Sequence, residues 1–162
     1  SSQTEFQALT LVNKIAEGLV AAIKETVQAY VAYGTGDNLG AGERAGVVNS
    51  YKSAFGSIPQ STTDWEDVLK IANGRWPSKT SETAETSAKA TFKTIYLRNA
   101  NMTNPNDNAA VTVMAYGLRS DTRRLDAEKA AIKNFKGIFK KTPLSATDWD
   151  AVRAIGYSGA KR

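Results

Sequence analysis

From Leu9 to Tyr33 the apolar residues Val12, Ile15, Ala16, Leu19, Ile23, Val27, Tyr30 and Val31 recur mostly at steps of three and four. That spacing collects them on one helix face and excludes a half-buried strand, whose period is two. The same period governs nearly the whole chain. Val47, Val48, Tyr51 and Phe55 mark a second helix within GERAGVVNSYKSAFG, and a third starts at STTDW and ends near Gly74. Ala84, Ala88, Phe92 and Ile95 mark a fourth, over about Glu82 to Arg98. NAAVTVMAYG carries a fifth, Ile132, Phe135 and Phe139 face inward on a sixth, and a seventh starts at SATDW and ends near Gly156. AVTVMAY could pass locally for a strand, but the Asn-Pro-Asn-Asp cluster before it reads as a helix start. Gly34, the SIP segment, RWP and NANMTNPND break the runs. The expected class is all-α, with six to seven helices.

The pentapeptide at Ser61–Trp65 returns, with one change, at Ser145–Trp149. With a shift of 84, Tyr51–Ile71 lies on Phe135–Ile155, and Lys52, Phe55, Pro59, Ser61, Thr63, Asp64, Trp65, Val68 and Ile71 all meet identical residues. Upstream, AYG at 32–34 meets AYG at 115–117, and ERA at 43–45 meets EKA at 128–130 with a similar slip. The matches cross helix, loop and helix, so the expected organisation is two related three-helix halves. The first spans 1–78 with a long N-terminal helix and the second spans 79–162, the two packed as one unit.

The pentapeptide has a structural explanation. Ser61 and Ser145 are N-cap candidates, and Asp64 and Asp148 stand three residues on, at the capping-box position. Pro59 and Pro143 end the preceding helices. Trp65 and Trp149 fall on the apolar faces of the helices they open, and Leu144 is spaced to staple onto Trp149. The competing reading makes each Trp a sugar platform, beside Glu66 and Asp67 in the first copy and Asp150 in the second. A Trp at this position of an amphipathic helix is more often core. No pair of carboxylates is therefore expected in an open cleft beside a Trp.

The chain has no Cys and no His. Disulfides, zinc ribbons, thiol nucleophiles, Ser/His/Asp triads and His-based metal sites are excluded. An enzyme here would work with carboxylates, Lys, Tyr or Arg. GTGDNLGAGER lacks the order of a phosphate-binding loop, and NMTNPNDN lacks the closing Glu of a calcium loop. No cofactor and no metal are expected.

Charge is unevenly placed. From Leu118 onward eleven Lys/Arg face five Asp/Glu, while the first 117 residues hold ten against eleven. Lys129, Lys133, Lys136 and Lys140 follow steps of four, three and four on the sixth helix, and Arg123, Arg124 and Lys141 extend the cationic region. Such a face suits an anionic polymer. No nucleic-acid motif accompanies it, so nucleic acid ranks behind other partners, and a merely solvated face is the simpler reading. No apolar run is long enough to cross a bilayer. SSQTEFQ is polar and reads as a mature end after cleavage or as a domain edge.

LGAGERAGVVNSYKSAFGSIPQSTTDWEDVLKIANGRWPS and NPNDNAAVTVMAYGLRSDTRRLDAEKAAIKNFKGIFKKTPLSATDWDAVRAIGYSGAKR together resemble a helical repeat module. That module occurs in predicted secreted or cell-surface proteins of ultra-small candidate-phyla bacteria. The resemblance spans about Leu39 to Arg162; the N-terminal SSQTEFQ departs from it. It implies an extracellular or cell-surface location and modular use beside signal peptides, anchors or immunoglobulin-like domains. It implies no activity and no functional residues. The resulting expectation is a non-enzymatic extracellular module for surface attachment or assembly, whose partner is itself, as a homo-oligomer or filament subunit, or an anionic cell-surface polymer. The alternatives are a carboxylate-based hydrolase of cell-wall glycans and a nucleic-acid-binding domain.

Overall fold

The computed structural model describes the backbone of residues 2–15 and 21–162, and the side chains of 7, 8, 10–14 and 21–162. Among these residues there is no strand, and eight helices follow one another: α1 (Ser2–Ile15), α2 (Ala21–Tyr33), α3 (Ala41–Phe55), α4 (Thr62–Ala72), α5 (Glu82–Tyr96), α6 (Pro105–Tyr116), α7 (Leu125–Phe139) and α8 (Ala146–Tyr157). The all-α expectation holds, and the count exceeds six to seven.

The surplus arises at the N-terminus. One long helix was expected from Leu9 to Tyr33; the structure has two. Gln28 Nε2 donates to Asn13 Oδ1 at 3.3 Å, whereas a straight helix would hold those residues about 22 Å apart. The α2 helix therefore folds back beside α1, and both lie on α3. A folded-back pair keeps the three-to-four spacing within each arm, so periodicity alone could not reveal the fold-back. The side chain of Ile15 and all of Ala16 and Leu19 lie outside the described residues. Arg44, on α3, secures the end of α2 by donating from Nε to the Val31 carbonyl at 2.9 Å, filling an acceptor that the helix end leaves open.

Helix starts follow the sequence closely. Ser61 Oγ accepts from Asp64 N–H at 3.1 Å, and Asp64 Oδ2 accepts from Ser61 N–H at 3.3 Å and Gln60 N–H at 3.1 Å. In α8, Ser145 Oγ accepts from Asp148 N–H at 3.1 Å, and Asp148 Oδ2 accepts from Ser145 N–H at 3.2 Å and Leu144 N–H at 3.1 Å. Both pentapeptides thus form complete capping boxes, Asp serving where Glu is usual. Ser81 caps α5, and Asn104 caps α6 with Pro105 in its first turn.

Helix ends are less uniform. Gly56 closes α3 at φ 78°, and Lys140 closes α7 at φ 57°. Glycine adopts this left-handed conformation without strain, whereas lysine does not. Lys140→Gly should therefore stabilise the protein by about 0.5–1 kcal/mol, measured as a raised urea midpoint at unchanged slope; an unchanged midpoint would contradict the strain.

The main core joins Val47 and Tyr51 of α3 to Val68 and Ile71 of α4, Phe92 of α5, Val111 and Tyr116 of α6, Phe135 of α7 and Val152 of α8. A smaller core joins Val12, Val27, Val31, Ala45, Val48 and Ile58. Tyr30 and Trp65 pack against both, their ring centroids 5.3 Å apart.

Within the repeat, local geometry recurs. Tyr51–Phe55 and Phe135–Phe139 each hold ring centroids 4.6 Å apart. The surroundings differ. The α6 helix packs closely along α8, while α2 packs on α1 and α3. Trp149 consequently departs from expectation: it is 38% exposed, and Leu144, at 88%, stands in solvent rather than stapling onto it. The ring that covers Trp65 is Tyr30, whose counterpart at the 83-residue shift is Val113. Among the described residues no aromatic ring packs on Trp149.

Candidate functional site

Two surfaces carry the chemistry: the outer face of α7 and a groove where α3, α6 and α8 meet the loops.

The α7 helix packs chiefly along α8 and buries only Ala131 and Phe135, with Ile132 and Phe139 half-buried. Ala127, Glu128 and Ile138 are half-buried too, and its other residues are exposed. Lys129, Lys133, Lys136 and Lys140 are all exposed, and no carboxylate among the described residues lies within ion-pair distance of them. The rest of the expected cationic region is occupied otherwise. Lys141 pairs with Asp148 at 3.1 Å and Arg123 with Glu128 at 3.1 Å, while Arg124 lies over the Tyr157 ring. Of the seven expected residues, all exposed, the four lysines in the row have no acidic partner among the described residues.

The groove has a volume of about 470 Å³. It is lined by Leu39 and Trp76, by Ala109, Thr112 and Val113 of α6, and by the charged residues Glu43, Arg119 and Arg153. These residues come from well-separated parts of the sequence. The Trp76 loop is fixed by buried Asp67, whose Oδ1 and Oδ2 accept from Ser78 N–H at 2.7 Å and Lys79 N–H at 3.0 Å. The indole is 41% exposed and lies against Tyr116 with centroids 5.9 Å apart.

Beneath the groove lies a network of charged groups. The Arg119 side chain is only 3% exposed. Its Nε donates to Glu43 Oε2 at 2.9 Å, its Nη1 donates to the Gly117 carbonyl, and Asp150 Oδ1 is 3.8 Å away. Arg153 Nη1 and Ser50 Oγ each donate to Asp150 Oδ1 at 3.0 Å. Glycines make the room: a Cβ on Gly46 would stand 2.6 Å from Arg119 Nη2, and one on Gly74 would stand 2.7 Å from the Arg119 carbonyl oxygen.

Burial pushes the Arg119 guanidinium down to about 10, with Arg153 adding to the effect and Glu43 and Asp150 opposing it. It remains cationic at neutral pH. Burial also pushes the Asp150 carboxyl up, against the pull of Arg153 and Arg119. Burial acts upward on Glu43 too, but Arg119, Arg153 and Arg123 together hold its carboxyl below the usual range.

Glu43, Asp121 and Glu128 line the groove that Trp76 also lines, although the Trp is neither Trp65 nor Trp149. In the sequence Trp76 is legible only as part of a helix-breaking RWP. Arg119 and Arg153 do not stand out there either, because residues 43, 76, 119 and 153 share no motif and no helix face. The best available cue was an Arg on the second-copy helix, Arg153, where the first copy has Leu69.

Among the described residues no cluster of carboxylates could hold a metal ion, and no helix is long and apolar enough to cross a membrane. Comparison of the chain with protein-family models, with curated proteins and with solved structures gives no match.

Proposed function

We propose that this chain is a non-enzymatic, extracellular helical module that attaches to an anionic cell-surface polymer through the lysine row of α7. The observation that carries the reading is the row itself: four exposed lysines with no carboxylate partner among the described residues, on the outward face of α7. The surface location rests on the resemblance of 39–162 to the bacterial surface module. Binding is favoured over hydrolysis by the state of the two network carboxyls, Glu43 and Asp150. A glycosidase needs a protonated carboxyl that reaches the substrate. Glu43 is held ionised by its arginines, and Asp150, the network carboxyl that burial pushes up, is 1% exposed beneath Arg119 and Arg153.

Long-range attraction of this kind weakens with salt. Four phosphate-like contacts would lose about a hundredfold in affinity between about 50 and 200 mM salt. The test measures sedimentation of the chain with polyphosphate, poly-γ-glutamate and duplex DNA across that range. Reversing Lys133 and Lys136 to Glu should weaken polymer binding by a further factor of about ten or more with melting unchanged. If the lysines act between subunits instead, the reversal should slow self-association at low salt. If neither polymer binding nor self-association responds to salt or to the reversal, the row is a solvated face and the proposal fails.

We also infer that the halves arose by duplication of a three-helix unit. The matched capping boxes, the left-handed ends at Gly56 and Lys140, and the two aromatic pairs support this. The different packing of α2 and α6 confines the likeness to local geometry, so the overlay that tests it is that of 51–71 on 135–155.

A further inference from the structure

Glu43, Trp76 and Arg153 belong to α3, the α4–α5 loop and α8, yet they line one groove. We infer that this groove binds an uncharged sugar ring of a glycan chain. Trp76 supplies the stacking wall, and Glu43 with Arg153 holds the ring hydroxyls. The inference is independent of the lysine row.

The first argument is charge. Three carboxylates, Glu43, Asp121 and Glu128, and three guanidiniums, Arg119, Arg123 and Arg153, line the groove; Glu43 Oε2 lies 2.9 Å from Arg119 Nε and 4.0 Å from Arg153 Nη2, and Arg123 is engaged by Glu128. A ligand with net charge would upset a balance already made within the groove; a polyol would not. The second argument is the geometry of one pair. Arg153 Nη2 and Glu43 Oε2 stand 4.0 Å apart, too far for a direct hydrogen bond. A single hydroxyl oxygen about 2.8 Å from each would accept from the guanidinium and donate to the carboxylate. A carboxylate or an ammonium cannot do both through one atom.

The third argument is preorganisation. Glu43 is held by Arg119 and Arg153 by Asp150, so neither polar group must be gathered on binding. The Trp76 loop is held by Asp67. A 41% exposed indole lining the same groove as that polar pair offers an apolar face that the C–H side of a sugar ring can cover. The volume of about 470 Å³ lies within the range of small-ligand sites.

The test uses the whole chain labelled with ¹⁵N. Hexamers of glucose, N-acetylglucosamine and mannose are titrated while the Trp76 indole N–H resonance is followed, with the three monosaccharides, glycine and dialanine in parallel. At least one hexamer should shift that resonance and saturate below about 10 mM. A matching monosaccharide response places a chain end in the groove; response to the hexamer alone places an internal stretch there. Trp76→Ala and Glu43→Gln should each weaken binding by about tenfold or more, and Trp149→Ala, whose side chain does not line the groove, should not. Should Glu43→Gln unfold the protein, Trp76→Ala decides. Raising the salt should leave sugar binding unchanged while weakening polymer binding to the lysine row, so either proposal can fail alone. Absence of response to every sugar, binding that survives Trp76→Ala, or preference for the zwitterions would overturn the inference.

Discussion

Arg119→Ala is expected to destabilise the fold by about 3–5 kcal/mol, as removal of one partner from a buried charge network does. The side chain donates to Glu43 and to the Gly117 carbonyl and lies 3.8 Å from Asp150. Without it, fully buried Asp150 keeps only Arg153 and Ser50 against its charge. Arg119→Met tests how much of the loss is volume, because Met keeps the apolar stem. Adding Asp150→Asn to Arg119→Met should recover part of the loss, since it removes the charge left behind; a double-mutant cycle in urea measures the coupling. The pH dependence has a definite sign. Burial raises the Asp150 carboxyl, so the folded state holds a proton that the unfolded state, with an ordinary value of about 3.9, has already released. Its contribution to stability therefore falls as pH rises through that window. Losing Arg119 should widen the window. The gap in stability between wild type and Arg119→Ala should be smallest near pH 4 and grow toward pH 7. A gap independent of pH would mean that Asp150 is not the group left exposed to the lost charge.

The parts of this fold legible in the sequence are those set by neighbours along the chain. Ser61 with Asp64 and Ser145 with Asp148 announce capping boxes because a box needs only four consecutive residues. Phe92 and Phe135 are buried as their spacing foretells. What the sequence hides is set by which element covers which. Trp65 and Trp149 have the same local context, yet one meets Tyr30 of α2 and the other meets solvent. The fold-back between α1 and α2 leaves the spacing inside each helix intact. The groove is hidden for the same reason, since Glu43, Trp76, Arg119 and Arg153 become neighbours only when α3, α6, α8 and two loops pack. The lysine row was legible because one helix carries it. The partners of Lys141, Arg123 and Arg124 were not, because Asp148, Glu128 and Tyr157 had to be placed first.

Three glycines separate backbone conformation from crowding, and the same change to alanine should give three different results. Gly137 lies inside α7, and a Cβ there meets nothing within 4 Å. Gly137→Ala should stabilise by about 0.5–1 kcal/mol, the ordinary helix preference. Gly56 is also unobstructed but sits at φ 78°, so Gly56→Ala should cost about 1 kcal/mol for the left-handed conformation alone. Gly117 combines that conformation, φ 77°, with a packed surround. A Cβ there would stand 2.5 Å from both Cβ and Oγ of Ser50 and 2.9 Å from Asp150 Oδ1. The methyl would wedge apart the contact by which Ser50 donates to Asp150, and the Gly117 carbonyl would move relative to Arg119 Nη1. Overpacking adds its own cost to the conformational one, so Gly117→Ala should lose about 3 kcal/mol or more. Removing the obstruction tests the assignment. Ser50→Gly takes away both atoms nearest the new methyl, so the Gly117→Ala loss measured in that background should shrink toward that of Gly56→Ala. Equal losses at Gly117 and Gly56 in the wild-type background would show that α6 ends without pressing on α3, and that the charged network beneath the groove is looser than its distances imply.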